Sequence, residues 1–173
     1  GCEIGDLTAV TRASGFRVLA EAPCVRAFAV PSALARSELD RLTDDAKALG
    51  AKGLAYLVFE ESGEVRSPIA KFLGESELEA ARTATGAGPG STLFFGADEP
   101  SVVAKVLGAL RLKLGHQLGL VDPSRNELLW VIDFPLFELD EETGERTFSH
   151  HPFTGIAPGH EALIESDPDA ALS

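Results

Sequence analysis

The chain contains several short stretches in which apolar and polar residues alternate, separated by turns or by amphipathic segments. Residues 25–30 alternate and are followed by Pro31, a pattern that predicts a β-strand. Residues 54–60 and 92–96 are predicted strands for the same reason. The sequence Glu61-Ser62-Gly63-Glu64 predicts a turn that leads residues 54–60 into a hairpin partner. The middle of the chain therefore carries at least four strands.

Amphipathic helices are predicted between these strands. Ser37-Glu38-Leu39-Asp40 and Ser76-Glu77-Leu78-Glu79 each place an acid three residues after a serine, which is typical of a helix N-terminus. A longer helix is predicted after Asp98-Glu99-Pro100. Its apolar residues recur at the spacing of one helical face: Val103, Leu107, Leu110, Leu114 and Leu118. This order of elements predicts an α+β fold, a two-layer sandwich with a mainly antiparallel sheet and helices packed on one face.

A second apolar region lies near the end of the chain. Residues 127–134 are predicted to form a strand, which ends at Pro135 because proline lacks the N–H that a central strand needs. The apolar pair Thr147-Phe148 is expected to pair back across residues 140–144 as a hairpin, with His150 and His151 at its mouth. The tail from residue 155 is expected to be a loop with one helical turn near residues 160–164.

The adjacent histidines allow three interpretations. They are ordinary solvated or core residues, or a metal pair completed by Asp133 or His160, or a polar rim that contacts a small charged substrate. Neighbouring residues in extended backbone point to different sides, and no metal-ligand spacing is present. A neutral imidazole can accept a hydrogen bond from an ammonium or donate one to a carboxylate. Asp133 is expected to cap the turn that follows it rather than to act in catalysis.

Other candidate sites are weaker. The glycines of residues 86–90 do not predict a phosphate loop, because Pro89 removes an N–H donor and a strand follows. The sequence contains no GxSxG and no zinc HExxH motif. Lys71, Arg111 and Lys113 are candidates for sporadic RNA contacts, although surface solubility accounts for them equally well.

Composition limits the function classes. A net charge of −12 disfavours a main RNA-binding module, because a surface that binds RNA is normally basic and neutralises the phosphates. No apolar run approaches the ~20 residues of a membrane helix. The cysteines Cys2 and Cys24 have no metal-ligand spacing and are expected to be reduced thiols of a cytoplasmic protein. The chain has no Met, so we expect it to be a segment of a longer protein.

Six motifs together resemble a known family. They are GAKGLA at 50–55, SPIAKFL at 67–73, LFFGAD at 93–98, LGALRLKLG at 107–115, WVIDFPLFE at 130–138 and HHPFT at 150–154. The chain resembles bacterial-type aspartyl-tRNA synthetases, class II enzymes with a large insertion called the GAD domain. The resemblance implies a flanking catalytic-domain segment at 1–23, the GAD insertion at 24–120, and a return segment of the class II catalytic domain at 121–173.

The resemblance also implies a function. Enzymes of this family use ATP and Mg²⁺ to activate L-aspartate and transfer it to tRNA, and they act as homodimers. In the family the HHPFT loop lies over the aminoacyl pocket, so His150 is expected to contact substrate aspartate, with His151 as its neighbour. In the family, the class II motifs that bind ATP and the main aspartate-binding residues lie outside the segment that this chain resembles. The chain alone is therefore expected to be inactive and to need no cofactor.

Two alternatives remain open at this point. The first is a stand-alone GAD-type module of the amidotransferase kind, which binds tRNA or a partner protein. WVIDFPLFE and HHPFT are not expected in such a module, so these motifs favour the ligase. The second alternative is an unrelated metal-binding α+β protein, which a metal analysis of the purified protein would identify.

Overall fold

The computed structural model describes residues 2–140, 143–149 and 155–172. They divide into two compact units, Gly1–Asp122 and Pro123–Ser173. The elements of the first unit follow in chain order: β1 (Gly5–Asp6), α1 (Thr8–Thr11), α2 (Arg17–Glu21), β2 (Cys24–Val30), α3 (Arg36–Ala48), β3 (Ala55–Phe59), β4 (Val65–Arg66), α4 (Glu75–Thr85), β5 (Ser91–Asp98) and α5 (Pro100–Gln117).

The first unit is built on one five-stranded sheet. Its strand order is β1-β2-β5-β3-β4, and every neighbouring pair is antiparallel. The central pair runs from Cys24 opposite Asp98 to Val30 opposite Thr92. The predicted hairpin of β3 and β4 is confirmed, whereas the two edge strands β1 and β4 have only two residues each.

Both faces of this sheet are covered. Successive side chains of a strand point to opposite faces. One face carries Phe28, Val58 and Phe94, which pack with apolar residues of α3 and α5. The other carries Val25, Ala27, Ala29, Leu57, Phe59, Leu93 and Phe95, which pack with Leu19 of α2 and Ala81 of α4. The predicted α+β class, with an antiparallel sheet and helices packed against it, is confirmed. The structure adds a further layer on the second face, because β2 and β5 are buried at nearly every position.

The two helix starts were predicted two residues too late. Helix α3 has Ala35 as its N-cap, and α4 has Gly74. The side chain of Glu38 accepts the N–H of Ala35 at 3.3 Å, and that of Glu77 accepts the N–H of Gly74 at 2.8 Å. In both helices the glutamate after the serine satisfies the first free amide, and the serine is already helical.

Helix α5 confirms the predicted apolar stripe. Val103, Leu107, Leu110 and Leu114 are buried against the sheet. The helix begins after Asp98, whose carboxylate accepts the N–H of Glu99 at 3.0 Å. This hydrogen bond, together with the Lys52 ammonium at 3.2 Å, lowers the pKa of the Asp98 carboxyl below its ordinary value.

A buried hydroxyl fixes the loop between β2 and α3. Thr92 Oγ1 donates to the carbonyl of Ser32 at 2.7 Å and accepts the N–H of Leu34 at 3.0 Å. The guanidinium of Arg66 donates to the carbonyl of Leu34 at 2.9 Å and also pairs with Glu60. The polar backbone of this loop is therefore satisfied by side chains of the sheet.

Gly96 on β5 lies directly under α5. A Cβ at this position would be 3.0 Å from Leu107 and 3.1 Å from Val103. We expect Gly96→Val to destabilise the first unit by about 1–3 kcal/mol, because the added carbons force the helix away from the sheet. Urea unfolding followed by far-UV circular dichroism measures this change.

Gly108→Ala is the matched control for Gly96→Val. A Cβ at Gly108 meets no atom within 4 Å, and the residue lies inside α5. Alanine is favoured over glycine in a helix interior by about 0.8–1 kcal/mol, so the control is expected to be neutral or stabilising. A Gly96→Val protein as stable as the original would contradict the close contact.

The second unit differs from its prediction in one strand. Residues 127–134 do not form a strand, and within the described part of the chain no strand pairs with them. The prediction was wrong because an isolated extended segment has no neighbour for its backbone N–H and C=O groups. The predicted hairpin is confirmed as β6 (Phe137–Leu139) and β7 (Arg146–Phe148), with Phe137 opposite Phe148. The tail contains α6 (Leu163–Ser166) and a 3₁₀ turn at Pro168–Ala170.

The N-terminal residues belong to the first unit. Strand β1 pairs with β2, and Leu7 is buried in the second-face core. Both cysteines are free; Cys24 begins β2, while Cys2 lines a cavity with Val30 at the other end of that strand. Six residues of extended chain span about 20 Å, which is too far for a disulfide. Among the described residues, no helix has both the length and the apolarity needed to cross a membrane.

Candidate functional site

The hairpin of the second unit leads to the predicted substrate loop. Its rings Phe137 and Phe148 lie 4.9 Å apart, and Arg146 forms two hydrogen bonds of 3.1 Å with the carboxylate of Asp169. The N–H of Ser149 donates to the carbonyl of Leu136 at 3.1 Å. These contacts fix the backbone up to Ser149. The predicted site residues His150 and His151 follow it and lie outside the described residues.

Ser149 is a residue that the sequence analysis missed. Its Oγ is buried and has no hydrogen-bond partner within the described ranges. A buried hydroxyl without a partner is unfavourable, by about 1–3 kcal/mol. Its position directly before the two histidines was the only signal in the sequence.

A run of apolar side chains before the hairpin is exposed. Between 65% and 99% of the surface of each of these residues is accessible: Leu128, Leu129, Trp130, Val131 and Ile132. Asp133 has a φ of +54°, a left-handed conformation that aspartate tolerates at turns. The predicted capping of the following turn by the Asp133 side chain stays a prediction. Leu136, after that proline, is buried.

The metal hypothesis gains no support from the described residues. His160 accepts the N–H of Leu172 at its Nδ1, at 3.1 Å, so that nitrogen is engaged in the fold. Within residues 2–140, 143–149 and 155–172, no group of three or more His, Cys, Asp or Glu side chains is close enough to hold a metal ion. The two histidines that this hypothesis needs lie outside those ranges.

The three predicted RNA-contact cations differ in their surroundings. Lys113 pairs with Asp45 of α3 at 2.5 Å. Arg111 donates to the backbone carbonyl of Cys2 at 3.4 Å. The ammonium of Lys71 lies 4.9 Å from the centre of the Phe72 ring. Of these three, only Lys113 forms an ion pair with an acid among the described residues, so Arg111 and Lys71 remain available to an anion.

The glycine-rich loop does not bind phosphate through its backbone. The N–H groups of Gly86, Gly88 and Gly90 are donated to Arg82, Ser91 and Phe59 respectively. The loop forms one wall of a cavity of about 630 Å³ that is also lined by Cys2 and Glu61. These three N–H groups are therefore not free to bind the phosphates of ATP.

Comparison with known proteins identifies the family of the first unit. The family model of the GAD domain matches residues 16–107, more than half of the chain. The chain belongs to the GAD domain family. The matched residues run from α2 into the first half of α5, so they contain four of the five strands of the sheet, β2 to β5. The segment boundaries 1–23, 24–120 and 121–173 remain predictions.

Curated relatives extend the match beyond the GAD domain. The chain is 47% identical over 168 residues to an aspartate–tRNA(Asp/Asn) ligase of Nitratidesulfovibrio vulgaris, covering 96% of the chain and 27% of that protein. It is 44% identical to the corresponding ligase of Acidiphilium cryptum, covering 95% of the chain and 29% of that protein. It is 41% identical to an aspartate–tRNA ligase of Geobacillus kaustophilus, covering 98% of the chain and 30% of that protein. The chain thus spans less than a third of the length of these relatives.

Proposed function

We propose that this chain is a segment of an aspartate–tRNA ligase, comprising its GAD insertion and a return segment of its catalytic domain. One observation carries the proposal: the ligases align with 95–98% of the chain, well beyond the GAD residues 16–107. A stand-alone GAD module of the amidotransferase kind would not account for the aligned second unit. The ligase is therefore preferred over that alternative.

The exposed run in the second unit supports the same proposal. Side chains such as Trp130 and Ile132 are the kind that sheets bury, at about 25 cal/mol for each Å² of apolar surface removed from water. Leaving five of them exposed is unfavourable. The proposed catalytic domain supplies the neighbouring strands that would cover the run and satisfy its backbone.

The proposed substrates are those of the whole enzyme. L-Aspartate, ATP with Mg²⁺, and tRNA are bound by a homodimeric parent protein, and the ATP site is formed by residues outside this chain. His150 is proposed to donate a hydrogen bond to the aspartate substrate from the rim of the pocket, and His151 lies beside it. The GAD insertion is proposed to assist binding of the tRNA or to stabilise the enzyme.

Pyrophosphate exchange dependent on aspartate tests this proposal. The longer protein that contains the segment is expected to catalyse the exchange and to charge tRNA, while the isolated 173-residue chain stays at background. His150→Ala is expected to raise the KM for aspartate about tenfold or more, the loss of one hydrogen bond to a charged group. His151→Ala is the matched control and is expected to have a smaller effect.

Three outcomes would contradict parts of the proposal. A longer protein without aspartate-dependent exchange would exclude the ligase and favour the amidotransferase kind. Exchange by the isolated chain above background would show that the residues present form a complete site. Equal KM values for the His150→Ala and original enzymes would remove the proposed role of that histidine.

A further inference from the structure

Helix α5 differs in charge from the rest of the chain. Its eighteen residues include Lys105, Arg111 and Lys113 and no aspartate or glutamate, although the whole chain has a net charge of −12. Helix α3, which packs on the same face of the sheet, carries four acids: Glu38, Asp40, Asp44 and Asp45. The cationic character is therefore a local property of α5.

The cations of α5 lie on the side away from the core. Successive residues of an α-helix are about 100° apart around its axis, so Lys105, Leu112 and His116 fall on one line, opposite the buried Leu107 and Leu114. All three are exposed, and Leu112 is 59% accessible. Arg111 lies on one flank of this line and Lys113 on the other.

The cations on the two flanks differ in whether an acid neutralises them. On the flank towards α3, Asp45 neutralises the charge of Lys113, and Gln117 donates a hydrogen bond to Glu38. Arg111 uses one N–H for the carbonyl of Cys2, and its guanidinium has four others. Among the described residues, neither Lys105 nor Arg111 forms an ion pair with an acid. Two acids lie on the N-terminal segment that contains Cys2: Glu3, and Asp6, which pairs with Arg26.

We propose that this outward face of α5, formed by Lys105, Arg111, Leu112 and His116, is a docking surface for the phosphate backbone of tRNA. At about 1.5 Å per residue, Lys105 and Arg111 are about 9 Å apart along the axis, and Arg111 and His116 about 7.5 Å. Neighbouring phosphates of one strand are about 3.4 Å apart along the axis of B-form DNA and closer in the A-form helices of RNA, so successive side chains reach about every third phosphate.

Local surface shape agrees with this charge pattern. Gly108 lies between Lys105 and Arg111, and apart from its chain neighbours and the backbone of its own helix no atom lies within 4 Å of the position of its missing Cβ. A polyanion can therefore approach the helix backbone closely between the two cations. The inference rests on the proposed function, because the ligase is what brings tRNA to this chain.

Binding of an aspartate tRNA transcript by the 173-residue chain tests the surface. The double variant Lys105→Gln/Arg111→Gln is expected to bind about tenfold more weakly. The negative slope of log K against log salt should become less steep by about 1.4–1.8, because two phosphate contacts are lost. The control Arg36→Gln/Lys47→Gln removes the same charge from the acid-rich α3 and is expected to change affinity less than about twofold. Far-UV circular dichroism verifies that both variants are folded.

Competition and charging assays complete the test of this surface. Equal losses in the two double variants would show a general effect of net charge and overturn the proposal. Poly-L-glutamate that competes as well as the tRNA would show a surface for acidic proteins and also overturn it. In the longer protein, the α5 variant should raise the KM for tRNA and leave aspartate-dependent pyrophosphate exchange unchanged. An unchanged KM for tRNA in an enzyme that still charges tRNA would refute the surface alone, whereas absent charging by the original enzyme would refute the proposed function.

Discussion

Replacing Phe94 with alanine is expected to destabilise the first unit by about 3–5 kcal/mol, which is the usual loss for a phenylalanine in a full core. Phe94 lies on the central strand β5 and is 0% exposed. Its ring centre is 5.5 Å from that of Phe28, directly opposite on β2. The substitution removes this aromatic contact and leaves a cavity between the sheet and helices α3 and α5. Urea unfolding monitored by far-UV circular dichroism measures the loss.

Two controls make the Phe94→Ala result specific. Phe94→Leu keeps most of the volume and is expected to lose less than about half as much stability. Leu112→Ala removes an exposed side chain from α5 and is expected to change stability by less than about 0.5 kcal/mol. Trp130 fluorescence is unsuitable, because this residue is 93% exposed in the second unit. A Phe94→Ala protein that unfolds at the original urea concentration would contradict the packing of this core.

Thr92→Val is expected to have the second largest effect, about 2–3 kcal/mol, although it preserves the shape of the side chain. The hydroxyl is 0% exposed and serves two backbone groups, the carbonyl of Ser32 and the N–H of Leu34. Valine leaves both without a partner in an interior that water does not reach. Each unsatisfied buried group is unfavourable by about 1–3 kcal/mol.

The comparison with Thr92→Ser separates hydrogen bonding from packing. Serine keeps the hydroxyl and loses one methyl group, which is worth about 1 kcal/mol. Thr92→Ser is therefore expected to be more stable than Thr92→Val, although the site is fully buried and the hydrophobicity of the two side chains predicts the opposite order. Thermal unfolding of the two variants side by side measures this order. Valine at least as stable as serine would show that the loop does not depend on the Thr92 hydroxyl.

Local patterns predicted most of the first unit. The stripe of α5 and the hairpin of β3 and β4 depend on neighbouring residues, which the sequence displays directly. The predicted helix starts were displaced because each serine-glutamate pair allows two assignments. The serine can be the N-cap, or the glutamate can accept the N–H of an N-cap three residues before it. Only the structure shows that the second assignment holds for Glu38 and Glu77. The layer that covers the second face of the sheet was not predicted, because it includes short segments such as α2, in which the apolar periodicity is weak.

The second unit was harder to predict for a different reason. The run from Leu128 to Ile132 has the composition of a strand, but strand formation needs a neighbouring strand, and composition contains no information about one. The role of His150 depends on the resemblance to a family, and that residue lies outside the described ranges. The charge asymmetry of α5 was visible in the sequence, yet only the packing of the helix shows which of its cations face outwards.

The two-residue edges of the sheet have a consequence for the proposed insertion of the first unit in a larger enzyme, its host. A long, unpaired edge strand offers N–H and C=O groups to any extended segment nearby, including strands of the host that are still unfolded during synthesis. Here Gly5–Asp6 and Val65–Arg66 offer almost no such template. The module can complete its own sheet without recruiting strands from the host, and the host sheet can close later without mispairing.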